Sequence, residues 1–283
     1  MNTCTIAAVS GPPEYRKKVA AAQGKWWYER YDDWQSLYAR LVLDRNDRVQ
    51  QLVSEGERFL DIGCGFGDML YLQSDRFSSV HGVDPASVMV EQAAQNFVIR
   101  DAGPVDVRCG SAEKLPWDDG FFNTVTMLDV YEHIDPAHRE IALKEARRVL
   151  SPCGELILVT PSRHVLRFWN IVDNVLSAPI RLLRRRPQRF WKFLTKSFTE
   201  EFCTKAELLA DLNRSGFDVT DFSRVGFYPA PETMGLTGSW LRLCWQSAPL
   251  RWIPQAVFHC LRSVAIWRQK MVIRCVPSGR KKL

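Results

Sequence analysis

The tightest constraint on this chain is a ten-residue stretch, Phe59-Leu60-Asp61-Ile62-Gly63-Cys64-Gly65-Phe66-Gly67-Asp68. The short run Phe59 to Ile62 reads as a buried strand, glycine then falls at every second position, and Met69 to Leu72 reads as a helix start. A strand that turns through glycines into a helix lets backbone N–H groups come close to a nucleotide, because no Cβ stands in the way. The spacing is D-x-G-x-G-x-G, which differs from the G-x-G-x-x-G of dinucleotide binders. A second strand, Val80-His81-Gly82-Val83, ends on Asp84, 23 residues beyond Asp61. An acid at the tip of the second strand is placed to take both hydroxyls of a ribose. Asp61, Gly63, Gly65, Gly67 and Asp84 are therefore the first candidate binding residues.

The rest of the chain keeps a strand–helix rhythm. Strands are expected over 57–62, 79–84, 105–109, 124–128 and 155–160, with helices over 67–74, 86–100 and 136–150. A further helix, 204–215, is closed by Gly216 and followed by strands over 217–222 and 271–276. Strands alternating with helices predict an α/β fold, a parallel sheet with helices on both faces. The last strand would complete seven, antiparallel at the edge of the sheet. Residues 1–24, with Gly11-Pro12-Pro13 as a breaker, are expected to be loosely ordered. Residues 25–283 form one domain, beginning with a helical stretch to Ser54 whose 27/31/34/38/41 aromatic and apolar spacing is one helical face.

On the glycine motif and the Asp84 strand tip, the chain resembles the class I S-adenosylmethionine-dependent methyltransferases, closely over roughly residues 57–160 and more loosely over 200–225. The resemblance implies a Rossmann-like seven-stranded sheet, mostly parallel with an antiparallel last strand, and S-adenosyl-L-methionine as cofactor. It implies that Gly110-Ser111-Ala112-Glu113-Lys114-Leu115-Pro116-Trp117 cradles adenine. Ser111 stands where the family usually carries Asp, so its hydroxyl keeps a hydrogen bond and loses the charge, while Ala112 offers its backbone. Asn123 likewise replaces a common Asp. Tyr28 and Tyr31 lie in a segment that such enzymes often use as a cover over the cofactor. Residues 128–160 resemble the ubiquinone-biosynthesis O-methyltransferases and their bacterial relatives in particular.

Methyl transfer from a sulfonium is a direct displacement, so the protein has chiefly to align the partners and exclude water. A hydroxyl acceptor must also lose a proton to a base. His133, in the segment that follows the fourth strand, is the candidate, because ligands sit at the carboxyl ends of such strands. Asp129, Glu132 and His133 together make a D-x-x-E-H cluster. Some relatives, among them the small-RNA 2′-O-methyltransferases, bind a divalent metal through E-x-x-E-H. Here the first acid is the shorter Asp, and we assign Asp129 to the amino end of the cofactor, Glu132 to a helix cap, and expect no metal.

Charge is unevenly spread along the 283 residues. From Arg163 to Ser197 there are nine Lys/Arg against one acid, and from Thr233 to Leu283 nine Lys/Arg against none. The net charge is +6, so the remainder carries −11. These two basic tracts contain the insertions expected at about 163–197 and 228–268, where arginines alternate with Trp, Phe, Leu and Ile. Such a mixture suits an anionic bilayer surface better than a ladder of phosphates. No RRM or KH signature is present, so RNA is a secondary expectation and DNA is not expected. The eight cysteines form no C-x-x-C pair, and there is neither a signal peptide nor an apolar run long enough to cross a membrane. The expected setting is the cytoplasm, peripheral to a membrane. The expected activity is O-methylation of a small amphipathic or lipid-linked acceptor, with RNA methylation or a non-catalytic cofactor-binding scaffold as alternatives. The oligomeric state stays open.

Overall fold

The computed structural model describes residues 45–100, 103–163, 202–226 and 268–279. The chain runs β1 (Gly56–Ile62), α1 (Asp68–Gln73), β2 (Phe77–Asp84), α2 (Ser87–Arg100), β3 (Val105–Cys109), β4 (Phe122–Leu128) and α3 (Arg139–Val149). It continues through β5 (Leu150–Pro161), α4 (Lys205–Arg214), β6 (Phe217–Gly226) and β7 (Arg268–Pro277). Residues 45–52 are helical ahead of β1, and a 3-10 turn, Tyr131–His133, lies between β4 and α3.

The seven strands form one sheet in the order β3-β2-β1-β4-β5-β7-β6. Pairs β1–β2, β1–β4, β2–β3 and β4–β5 are parallel, and β7 is antiparallel to both of its neighbours. The expected α/β, Rossmann-like sheet is thus present, with one correction of placement. β7 is not at the edge; it lies between β5 and β6. Met271, Val272, Ile273 and Cys275 are all fully buried, as a strand covered on both faces requires. β6, which carries Asp218, Asp221 and Arg224, is the marginal strand, and charged side chains suit an exposed edge.

Alternation along the strands divides the core in two. Leu60, Ile62, Met127, Leu156 and Leu158 join Ala142, Leu143 and Ala146 of α3 and Leu208 and Leu212 of α4 on one face. Phe59, Val80, Ile157, Val159 and Val272 join Val49 and Leu52, Met69 and Leu70 of α1, and Val90, Ala93 and Phe97 of α2 on the other. Helices therefore cover both faces. β5 begins earlier than expected. Phe122 opposes Leu150 and Thr124 opposes Glu155, so residues 151–154 bulge out of register.

Every parallel strand ends on the same edge, and β7, running the other way, begins there. Lys270 stands opposite Pro161, the last residue of β5. The expectations for residues 1–24, for Tyr28 and Tyr31, and for nearly all of both basic insertions fall outside the described residues.

Candidate functional site

At the end of β1 the chain turns through Gly63, Gly65 and Gly67, with φ of 72°, 50° and 80°. These left-handed values are cheap only for glycine. Gly63 and Gly65 need it for different reasons. A Cβ on Gly63 would lie 2.2 Å from Val130 Cγ2, so the turn after β1 is pressed against the turn after β4. A Cβ on Gly65 would meet nothing within 4 Å, so that side of the loop faces open space. Backbone exposed in this way is what a nucleotide-bearing ligand needs in order to approach.

The loop is held from three sides. Gly63 N and Cys64 N both donate to Val83 O, at 2.7 and 3.1 Å. Asn96 of α2 donates through Nδ2 to Phe66 O at 2.8 Å. Asp84 is buried and accepts from Gly65 N at Oδ2 (3.1 Å) and from Ala86 N at Oδ1 (2.9 Å). Each of its oxygens keeps lone-pair capacity, since an ionised carboxylate offers about four acceptor sites. This carboxylate therefore both braces the glycine turn and fits a pair of ribose hydroxyls.

Asp61 lies in the interior, 4% exposed. Thr126 Oγ1 donates to its Oδ1 at 2.6 Å. Burial pushes its carboxyl up to about 7, against the lowering effect of that bond. The Thr126 bond ties the end of β1 to β4 directly below the glycine turn.

At the end of β4, Asp129 has φ 57° and is the one non-glycine residue of positive φ among the described residues. Such a conformation in a residue with a side chain costs on the order of 1–3 kcal/mol and is typical of functional sites. Its amide still donates to Val159 O at 2.8 Å. Arg45 Nη1, 2.6 Å away, and Lys270 Nζ both donate to the same oxygen, Oδ2. Oδ1 is shielded from solvent and has no hydrogen-bond partner among the described residues. Although burial opposes it, the Lys270 ammonium and the Arg45 guanidinium hold this carboxyl below the ordinary range.

The turn Tyr131–His133 carries the other two members of the D-x-x-E-H cluster. Glu132 is 4% exposed and accepts from Thr160 Oγ1 at 2.9 Å. Burial, then the Asp129 charge, pushes it up to about 7. It caps no helix, which corrects the expectation: α3 starts beyond it, with His138 at the N-cap and no side-chain cap bond. His133 is exposed. Behind the turn, Tyr131 is fully buried, its hydroxyl donating to Asp211 of α4. Among the described residues no three His, Cys, Asp or Glu side chains are grouped so as to hold a metal ion.

Ser111 and Ala112 follow β3 and are partly buried. Ser111 Oγ accepts from Glu113 N at 3.1 Å. The loop is anchored by α3: Leu115 N donates to Glu145, and Arg148 donates to Trp117 O at 2.8 Å and Leu115 O at 3.0 Å. Asn123 has a different job. At the opposite end of β4, its Oδ1 accepts from Glu57 N and Arg58 N at 3.1 and 2.9 Å, fixing the start of β1. Its difference from the common Asp therefore bears on the sheet, away from the site.

The structure thus brings Gly63, Gly65, Gly67, Asp84, Ser111, Ala112, Asp129 and His133 to one edge of the sheet, with Asp61 beneath. Arg45, Lys270, Thr160 and Asn96 belong to the same site and were not singled out from the sequence. The sequence signal for Lys270 is slight: it stands directly before the apolar run Met271-Val272-Ile273 of the last strand.

Comparison with known proteins gives the family and the fold. Residues 60–158 match the model of the methyltransferase domain family. A ubiquinone biosynthesis O-methyltransferase of Azorhizobium caulinodans is 31% identical over 189 residues, 66% of this chain and 66% of that protein's own length. One from Pseudomonas aeruginosa is 27% identical over 214 residues, 75% of this chain and 86% of its own. Among solved structures, a protein of Pyrococcus horikoshii OT3 superposes with a TM-score of 0.57 at 18% identity, over 95% of this chain and 100% of that one, and shows the fold.

Proposed function

We propose, for a chain that belongs to the class I S-adenosylmethionine-dependent methyltransferases, that it methylates an oxygen of a small amphipathic or lipid-linked acceptor at a membrane surface. S-adenosylmethionine supplies, when bound, a methyl group already activated by a positively charged sulfur. In this reading the Gly63–Gly67 backbone and Asp84 hold the ribose, with Asp61 stiffening the turn from below. Ser111 and Ala112 line the adenine side, and Asp129 takes the amino end.

The observation that carries oxygen as the target is the turn after β4. It presents the exposed His133 imidazole at the carboxyl edge of the sheet, one residue from a buried carboxyl, Glu132. An alcohol or phenol has to give up its proton as it is methylated, whereas a neutral amine is already nucleophilic, so a base at this place suits oxygen. His133 takes that proton. The O-methyltransferase names of the two relatives support the same choice, and their role in ubiquinone biosynthesis supports a lipid-like acceptor. The two basic, aromatic-rich tracts supply the attraction to an anionic surface.

The experiment is methyl transfer from labelled cofactor into a total lipid extract, with the product identified by mass. Label on an oxygen of a lipid-soluble molecule is expected, and His133→Ala should lower that turnover by on the order of 10²–10⁴-fold. Label found only on nitrogen, or only in an RNA fraction, overturns the reading.

A further inference from the structure

We infer that Lys270, together with Arg45, is a positioning residue that makes Asp129 a one-sided acceptor for the ammonium of the cofactor's amino-acid end. The inference rests on the cofactor reading above and not on the identity of the acceptor.

Three features of Asp129 converge. Its backbone is left-handed at φ 57°, which is costly for a residue with a side chain. Two cations from distant parts of the chain, Arg45 ahead of β1 and Lys270 on β7, donate to one and the same oxygen, Oδ2. The second oxygen, Oδ1, is shielded from solvent with no donor among the described residues. A buried acceptor left unpaired is expensive, about 1–3 kcal/mol, and most such atoms in folded proteins have a partner. An arrangement that doubles the donors on one oxygen and leaves the other bare is set up to receive a donor from outside.

The chemistry of that donor follows. An ionised carboxylate only accepts, and its strongest bonds are to charged N–H groups. The α-ammonium of an amino acid is such a charged N–H group. Lys270 is well placed to hold the geometry because it is buried in a strand and in register with Pro161 and Val225 at the ligand edge. Were Oδ2 released, Asp129 could rotate, and both oxygens would lose their assigned partners.

The test is titration calorimetry with two ligands, S-adenosylmethionine and 5′-methylthioadenosine, which keeps the adenosine and lacks the amino-acid end. Lys270→Met and Asp129→Asn are expected to lose about tenfold or more in affinity for S-adenosylmethionine, with affinity for 5′-methylthioadenosine kept within about twofold. Lys270→Arg, which keeps the charge, should retain most of the affinity for both. Unchanged S-adenosylmethionine binding in Asp129→Asn overturns the inference, as does an equal loss for both ligands. If Lys270→Met fails to fold, Arg45→Met, which removes the other donor to Oδ2, tests the positioning role, and unchanged S-adenosylmethionine binding in it overturns the inference. A wild-type protein that binds neither ligand instead defeats the cofactor reading beneath. One that binds both equally defeats only the present inference.

Discussion

Two glycines two residues apart are expected to answer differently to the same substitution. Both Gly63 and Gly65 have left-handed backbones, so an added methyl costs each about 1–2 kcal/mol in conformation. Gly63→Ala adds a collision with Val130 Cγ2 at 2.2 Å, and a larger loss of melting temperature is expected there. Gly65→Ala meets open space and should melt nearer to wild type while losing cofactor affinity, because its methyl fills the approach route. Thermal denaturation beside calorimetry checks both, and equal melting temperatures would contradict the packing argument. Buried acids give a second prediction at this scale. Burial pushes Asp61 up to about 7, against an ordinary unfolded value near 4. The folded chain therefore keeps a proton that the unfolded chain has already released. The stability this brings is complete below about pH 4 and is lost as pH rises through about 7. Glu132, pushed up by burial and by Asp129, acts with the same sign, while Asp129, held down by its two cations, acts with the opposite one. Asp61→Asn mimics the protonated form and should gain, relative to wild type, on the order of 1–3 kcal/mol between pH 5 and pH 8. Denaturant melts at the two pH values would show it; a constant difference would mean that Asp61 is ionised in the fold.

At the level of elements, the loop after β3 has no regular structure of its own and borrows order from α3. Arg148 donates to two loop carbonyls and pairs with Glu145, which in turn accepts from Leu115 N. Its bridge to Asp119 contributes little, since that side chain is 81% exposed. Arg148→Leu is expected to weaken cofactor binding several-fold through the adenine side. In a double-mutant cycle with Glu145→Gln, coupling of about 0.5–3 kcal/mol is expected because the two residues share one network. Additive effects would show that the loop is held elsewhere. The same contrast explains what could be read in advance. The strand–glycine–helix turn, the Asp84 tip and the five parallel strands rest on short-range patterns, alternation and turn chemistry, and these are visible in a linear sequence. The seat of β7 between β5 and β6 depends on pairings across more than a hundred residues, such as Leu156 with Cys275, and the edge placement missed it. Asn123 looked like a lost site residue because identity was visible and position was not. Glu132 looked like a helix cap because the 3-10 turn ahead of α3 leaves no periodic trace. Arg45 and Lys270 escaped for a further reason: a lone cation reads as a solvated side chain until the fold supplies the carboxylate that it serves.

On the scale of the whole molecule, charge is segregated. The residues outside the two basic tracts carry −11, while the tracts hold nine Lys/Arg each and between them one acid, Asp173. No helix among the described residues is long and apolar enough to cross a membrane; the proposed attraction to a bilayer is through the two basic tracts. Each Lys or Arg near anionic lipid contributes about 1 kcal/mol, screened by salt, and a buried aromatic face adds a part that salt does not remove. Arg184, Arg185 and Arg186 are consecutive, and their combined contribution, on the order of 3 kcal/mol, corresponds to about a hundredfold in binding. Co-sedimentation with phosphatidylglycerol vesicles should therefore be strong in low salt, weaker in high salt, and poor with neutral vesicles. Changing all three arginines to Glu should lower the anionic binding by at least that hundredfold factor, with cofactor affinity unaffected. The competing account is that the apolar groups of these tracts complete the core of the protein and their arginines face water. In that case neither vesicle is bound, or the triple variant binds as well as wild type, and either result removes the membrane from the proposed function.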